Sequence, residues 1–458
     1  LVYSPRKIHF CILEPMLFSL FSVSIIILWI VLGTSRAKIH PFLVLFSAAL
    51  LLGFLLGIPA VEILNHIQKG FGGIVQSIGL LILFGTTIGV SLERSKGTLA
   101  LAQGVLSRLQ RLPLPYAVSC IGYLVSIPVF CDAAFVILSH LNKTLSKQTR
   151  TPLVGLTVAL STGLFAPHVL VPPTPGPLAA ASNLALENLF LLICVGVSIA
   201  LILILVGGAY GNYLIRKNPY VPDESEEPIL QNTTASMPSF GTALQPILVP
   251  ILLMGLGALI KFIPRDLPGL EVVTLLCQPT VALGIGLLLA FRLVRSKRKI
   301  LINLSIKEGI VQAAPILIIT GMGGALGNLI QTIPLQEYAQ AISSYEALGL
   351  FIPFGIAALL KTAQGSSTVA IITTSSIVFP LLPLLQLDSE MGKVWVIMAL
   401  GVGAMTVSHA NDSYFWIVSQ MSGMDVKTAY RTHTVGTLIQ GLVGFLVVFV
   451  GYSIWKVL

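Results

Sequence analysis

Pro172-Pro173-Thr174-Pro175-Gly176-Pro177 interrupts an otherwise apolar stretch running from Pro152 to Glu187. Its prolines lack the backbone N–H that a regular helix needs. Two more polar stretches break apolar sequence in the same way. One is Gly365-Ser366-Ser367-Thr368, preceded by Lys361 and Gln364; the other is Ser408-His409-Ala410-Asn411-Asp412. In a bilayer, broken backbone of this kind is tolerated only where it is buried in protein or lines a water-filled cavity. The three stretches therefore point to helices interrupted inside a membrane protein, around a site.

Composition supports the membrane setting. The chain has 458 residues, 55% hydrophobic and 10% charged, with a mean hydropathy of +0.92. Soluble domains carry about 25% charged residues, so a polytopic, all-α membrane protein is expected. The net charge of +9 comes from basic residues scattered between apolar spans. Loops held in the cytoplasm explain these better than a nucleic-acid surface does. The five cysteines (Cys11, Cys120, Cys131, Cys194 and Cys277) form no CxxC pair and read as small core residues. No disulfide framework, metal site or cofactor is expected from them.

Charges between the runs give a topology. At the N-terminus, Arg6-Lys7 precede the apolar run Phe18–Leu32, and no small-residue cleavage site follows. A retained helix is expected there, with 1–14 as an extension. Runs Pro15–Gly33 and Pro41–Pro59 are followed by an external amphipathic stretch, Glu62–Gly70, and a span over Gly73–Leu92. The segment Leu112–Leu141 has basic flanks on both sides but is too short for two spans. It reads as a re-entrant hairpin with its tip near Ile127–Asp132. A broken span over Pro152–Glu187, a return over Leu189–Ile215 and a cytoplasmic linker over 218–243 complete the first membrane region, 15–217.

The second region, 244–458, repeats the plan upside down. Spans are expected over Gln245–Ile263 and Val272–Phe291, the latter anchored by Arg292, Arg295, Lys297, Arg298 and Lys299. Ile310–Ile330 then runs outward to a stretch carrying Glu337 and Glu346. A hairpin around Lys361–Thr368, a broken span over Val394–Val418 and a last helix over Val435–Tyr452 follow. Inverted repeats with discontinuous helices meeting at the midplane characterise secondary transporters.

The residues inside these breaks carry the candidate chemistry. Asp132 is a carboxylate in an apolar segment, costing about 2.5–3.5 kcal/mol on insertion scales. It is a candidate proton carrier, against the plainer reading of a structural acid paired at a hairpin tip. Lys361, Gln364 and Gly365 to Thr368 offer a cation, free backbone N–H groups and hydroxyls suited to a carboxylate or polyol. Their plainer reading is a snorkelling lysine and hydroxyls that ease helix packing. His409, Asn411 and Asp412 combine a titratable ring, an amide and a carboxylate, for protons or substrate hydroxyls. His168 precedes the proline-rich break and mirrors them, though a membrane histidine more often hydrogen-bonds between helices. Thr174 and Gly176 contribute shape and carbonyls. Gly321-Met322-Gly323-Gly324 reads as close helix packing. No Walker motif or nucleophile elbow is present, which argues against an ATP-driven pump and against the common hydrolases.

At these residues the chain resembles the GntP family of gluconate:proton symporters, within the ion transporter superfamily. The family's PPHPGP is similar to Pro172-Pro173-Thr174-Pro175-Gly176-Pro177. Its GSATVA resembles Gly365-Ser366-Ser367-Thr368-Val369-Ala370, and its SHVNDPGFW resembles Ser408 through Trp416. A hairpin acid followed by Gly-Phe is similar to Asp132-Ala133-Ala134-Phe135. Thr174 stands where the family usually has His, and Ser413-Tyr414 where it has Pro-Gly.

The resemblance implies proton-coupled import of a gluconate-like small carboxylate through the bacterial inner (cytoplasmic) membrane. It implies no enzymatic activity, and a homodimer by superfamily analogy. Asp132 (commonly Glu), Lys361 (commonly Arg), His168, the Gly365–Thr368 segment and His409–Asp412 become the presumptive site. Sodium coupling, a D-serine-like substrate, a passive channel and an intramembrane enzyme are the competing readings.

Overall fold

The computed structural model describes residues 18–19, 21–30, 32–33, 36–218, 237–260, 270–294, 298–333, 349–410 and 412–457. All regular elements among them are helical. The first half begins with α1 (Phe21–Ile30), α2 (Pro41–Leu55), α3 (Ala60–Arg94) and α4 (Gly97–Arg108). It continues with α5 (Leu114–Ser126), α6 (Cys131–Thr149), α7 (Leu153–Leu170), α8 (Pro175–Asn183) and α9 (Leu189–Lys217). The second half has α10 (Phe240–Ile260), α11 (Leu270–Cys277), α12 (Pro279–Leu293) and α13 (Arg298–Ile330). There follow α14 (Phe351–Gln364), α15 (Ser367–Val378), α16 (Glu390–Met405), α17 (Ser413–Met421) and α18 (Val426–Ala429). A π-helix over Tyr430–Thr434 leads into α19 (Val435–Val457).

Six helical stretches among the described residues are long and apolar enough to cross a membrane, and a seventh if α11 and α12, bent by 72°, count as one. The chain is thus a multi-pass membrane protein. The most apolar part of the broken stretch Leu153–Asn183 is 94% buried, whereas the corresponding parts of the α10 and α19 stretches are each 33% buried. The break therefore lies at the centre of the molecule, and the uniformly apolar helices face lipid around it.

The two halves use one plan: a long helix, a short-helix pair, a broken helix and a closing helix. The long helices α3 and α13 pack along their lengths and run antiparallel. His66 Nδ1 lies 2.8 Å from Asn328 Oδ1 near one end, and Arg94 Nη2 pairs with Glu308 at 2.6 Å near the other. Between these, Gly70 packs on Gly324, and Thr86 donates to Gly309 O at 3.0 Å. Equivalent helices running in opposite directions are what an inverted repeat requires. The short-helix pairs cross the broken helices at small residues. A Cβ on Gly122 of α5 would come within 2.7 Å of Gly163 C in α7, and one on Gly403 of α16 within 3.0 Å of Ala357 Cβ in α14. Each half also reaches into the other. Asn183 at the end of α8 donates to Ser375 and Ser376 of α15, while Phe135 of α6 meets Tyr414 of α17 edge-on at 6.1 Å.

Local chemistry sets the breaks. In the first, Val171 is extended, Pro172–Pro173 is a cis peptide, and Pro175 opens α8 at a position where a missing N–H costs nothing. In the hairpin of the second half, Gly365 adopts φ 78° and ends α14, a conformation that favours glycine. Ser366 then caps α15 by accepting from Val369 N at 3.3 Å.

The structure departs from the sequence reading in several places, and the span expected over Val272–Phe291 is one, since it divides into α11 and α12 with a 72° bend between them. Glu62–Gly70 is not a separate external stretch, because α3 runs unbroken through it into the following span. The proline-rich stretch is not wholly non-helical either, since Pro175 to Pro177 form the first turn of α8. The extension 1–14, most of the linker 218–243, Arg295, Lys297, Glu337 and Glu346 lie outside the described residues.

Candidate functional site

Two short-helix junctions and one helix break converge on a cavity of about 430 Å³, within the range of about 300–1,000 Å³ usual for small-molecule sites. The first turn of α6 supplies Asp132, flanked by Phe130 and Cys131. The Gly365–Ser366 junction and the start of α15 supply Gly365, Ser366, Ser367 and Thr368. The break after α16 contributes Asp412, Ser413 and Tyr414, and α7 contributes Phe165 and His168. The fourth wall is α13, with Gln312 beside the helix-interior Pro315.

Asp412 is the most heavily bonded group in this wall. As N-cap of α17, its Oδ1 accepts from Tyr414 N at 3.1 Å. Its Oδ2 accepts from Lys361 Nζ and from Ser408 Oγ, both at 2.5 Å. Lys361 is only 1% exposed. Its ammonium also donates to Gly365 O at 3.1 Å and lies 5.7 Å from the Phe165 ring centroid. This ion pair ties the tip of the second hairpin to the break after α16. Such a pair is worth keeping only with every partner in place, because burying two charges costs several kcal/mol each.

Behind Asp412 a second layer holds the break open. Ser408 Oγ lies 3.2 Å from His433 Nε2, and His433 Nδ1 lies 3.1 Å from Ser161 Oγ in α7. Tyr414 OH donates to Ser161 O at 2.9 Å. The backbone of Ser408, freed from helix, bonds Thr437 Oγ1 through its N–H and Thr434 Oγ1 through its C=O.

Of the residues expected from sequence, Asp132, His168, Gly365, Ser366, Ser367, Thr368 and Asp412 line one cavity. Lys361 does not; it stands behind Asp412. Gln364 is also absent from the lining, and both its amide atoms are buried without a partner. Thr174 donates to Val171 O at 2.5 Å. It lines a separate void of about 10 Å³ that shares Phe130 and His168 with the main cavity. Gly176 packs under Ile371, and His409 does not face the cavity. Asn411 lies outside the described residues. His168 is buried, with Nδ1 unpartnered, between cavity and void.

Sequence reasoning missed Gln312, Ser161 and His433. Gln312 had a readable signal, an amide in an apolar run before Pro315. His433 had none, since its partners are 25 and 272 residues away. A larger cavity of about 690 Å³, between Lys69–Ser77, Ser182–Glu187 and Gly323–Gln331, contains none of the expected residues. Chemistry, not volume, selects the smaller one. Among the described residues, no three His, Cys, Asp or Glu side chains are grouped to hold a metal ion.

A multi-pass helical protein with a charged cavity enclosed by two short-helix junctions and a helix break has the architecture of a membrane carrier. Over residues 16–454 the chain matches the GntP family permeases, and it belongs to that family. It is 28% identical to a gluconate permease of Pseudomonas aeruginosa, over 92% of this chain and 94% of that one. It is likewise 28% identical to the D-serine transporter DsdX of Escherichia coli K12, over 91% and 94%. In fold it is similar to the Alcanivorax borkumensis YdaH transporter, with a TM-score of 0.63 at 16% identity, covering 90% of this chain and 99% of that one.

Proposed function

We propose that this permease imports gluconate, or a related small sugar acid or hydroxy-carboxylate, together with protons across the bacterial cytoplasmic membrane. The observation that carries the reading is the convergence of Asp132 and Asp412 with Ser366, Ser367 and Thr368 on one cavity. Hydroxyls and the free N–H groups at the start of α15 suit a polyhydroxy acid. The two carboxylates, Asp132 and Asp412, are the acids on the cavity wall that can take and give up a proton. The names of the gluconate-transporting relatives support the substrate class. In this reading the two short-helix pairs are re-entrant hairpins entering from opposite faces. The arms α14 and α15, of 14 and 12 residues, reach about 21 and 18 Å at 1.5 Å per residue, short of a core of about 30 Å.

The driving force follows from charge. One positive charge moving down about 100 mV supplies about 2.3 kcal/mol, enough for about 50-fold accumulation of a neutral substrate. A monoanion entering with one proton moves no net charge and draws on the pH gradient alone. The test is uptake of labelled gluconate into proteoliposomes with an inward proton gradient and no sodium. Accumulation that collapses with a protonophore is expected. No uptake of gluconate or of a panel of hydroxy acids, with either ion, would refute the reading.

A second reading has its own observation. The charged groups facing the cavity are carboxylates, and the Lys361 ammonium behind Asp412 is already paired. A zwitterion such as D-serine would place its own ammonium against Asp132. Competition of D-serine with gluconate uptake separates the two.

A further inference from the structure

The buried cation of this site and the anion that neutralises it are arranged in a telling order. Asp412 stands at the cavity wall, and Lys361 stands behind it. An anionic ligand seated on Ser366–Thr368 therefore meets Asp412 before it meets Lys361. We propose that Asp412 occupies the subsite of the substrate's carboxylate in the empty protein, and that the coupling proton enters by displacing it. This rests on the function proposed above and names the group that exchanges the proton.

Charge conservation in a buried site sets the order of events. Lys361, 1% exposed, needs an anion at all times, because an unpaired buried charge is strongly destabilising. Asp412 supplies that anion when the cavity is empty. A substrate carboxylate cannot take the same ammonium while Asp412 is ionised, since two carboxylates sharing one site cannot both stay charged. Protonation of Asp412 removes the conflict. The exchange balances: substrate carboxylate plus one proton plus the Lys361–Asp412 pair gives a Lys361–substrate pair and a neutral Asp412 acid. The site begins and ends with one positive and one negative charge.

The surroundings suit a neutral acid at Asp412. The oxygen that releases Lys361 already touches Ser408 Oγ, a hydroxyl that can turn from donor to acceptor. Ser408 in turn contacts His433, which is anchored on Ser161. The other titratable groups facing Asp412 are Asp132 and Cys131 from α6, His168 from α7 and Tyr414 from α17. Asp132 is the cavity carboxylate through which a proton would arrive. Tyr414 is committed to Ser161 O. His409, on the break itself, does not line the cavity.

The deciding experiment measures gluconate binding to purified protein in nanodiscs from pH 6 to 8, for the wild type and Asp412→Asn. If binding takes up one proton, wild-type affinity falls about tenfold per pH unit where the acid is ionised. Asp412→Asn leaves Lys361 without its internal anion. It is expected to bind gluconate with no pH slope, and to exchange it across liposomes without responding to a pH gradient. An Asp412→Asn protein that keeps the wild-type slope, or that is folded and binds nothing, overturns the proposal. Lys361→Met/Asp412→Asn is expected to fold and to lose binding, having no cation. If Asp412→Asn does not fold, proton uptake by the wild type on adding gluconate in weak buffer decides, with one proton per bound anion expected and none overturning it. Wild-type protein that binds neither gluconate nor D-serine removes the function reading itself. Wild-type binding without pH dependence removes only this proposal.

Discussion

The two helix breaks occupy equivalent places in the inverted halves, yet they solve the same physical problem by opposite means. Leaving helical geometry exposes backbone donors and acceptors that a membrane interior cannot hydrate. The first break removes donors. Pro172 and Pro173 carry no N–H, Val171 N still reaches Pro167 O, and Thr174 N reaches Val171 O. The second break keeps its donors and imports partners. Thr434, Thr437 and Tyr430 reach in from the segment that opens the last helix to bond Ser408 and Ala410, and Trp416 Nε1 bonds Ala410 O. A proline-built break is locally satisfied and chemically quiet. A break built from polar residues needs the tertiary structure, and in return it presents Asp412 to a cavity. The junctions before α6 and α15 differ in the same sense. The second residue of α6 is an acid, Asp132, and the second residue of α15 is a hydroxyl, Thr368.

The largest effect should separate those two junctions. Asp132→Asn is expected to abolish gluconate accumulation driven by a pH gradient while leaving exchange in place, whereas Thr368→Ala should weaken binding and keep coupling. Initial rates and steady-state levels in proteoliposomes measure both, and pH-driven accumulation by Asp132→Asn would break the contrast. Next comes the ion pair of the second break. Lys361→Met strands Asp412 in the interior and should cost about 3–5 kcal/mol. The double variant with Asp412→Asn should regain most of that in thermal unfolding of the detergent-solubilised protein.

A smaller effect compares the breaks directly. Ser408→Ala removes a donor to a carboxylate and should cost about 1.5–3 kcal/mol, whereas Thr174→Ala loses one neutral bond worth about 0.5–1.5 kcal/mol. Equal losses would mean that the breaks are equally dependent on side chains. The smallest contrast is expected where the halves are alike. Gly163→Ala and Gly403→Ala each force a methyl into a helix crossing and should destabilise similarly, by about 1–3 kcal/mol.

Much of the fold was legible because apolar length and interruption are one-dimensional signals. The breaks at Pro172–Thr174, Gly365–Ser366 and Ser408–Asp412 all stand out as polar or proline-rich sequence in apolar runs. The continuity of α3 did not, because Glu62, His66, Gln68 and Lys69 read as a separate amphipathic stretch, and only the fold shows His66 meeting Asn328 of α13 on one continuous helix. The site was legible in its members and not in its wiring. Lys361 reads as a cation free for a substrate, and its partner lies 51 residues away. Gln364 reads as a binding group, yet its amide points into protein.

By itself the sequence determined a multi-pass helical carrier with two halves, three interruptions and a short roster of polar residues. Insertion energy makes each buried polar residue conspicuous. Only the tertiary structure decided which of those residues face a common cavity, which neutralise one another and which merely pack. Charge pairing in a low-dielectric interior depends on contacts of a few ångströms between distant segments, and periodicity along one chain carries no record of them.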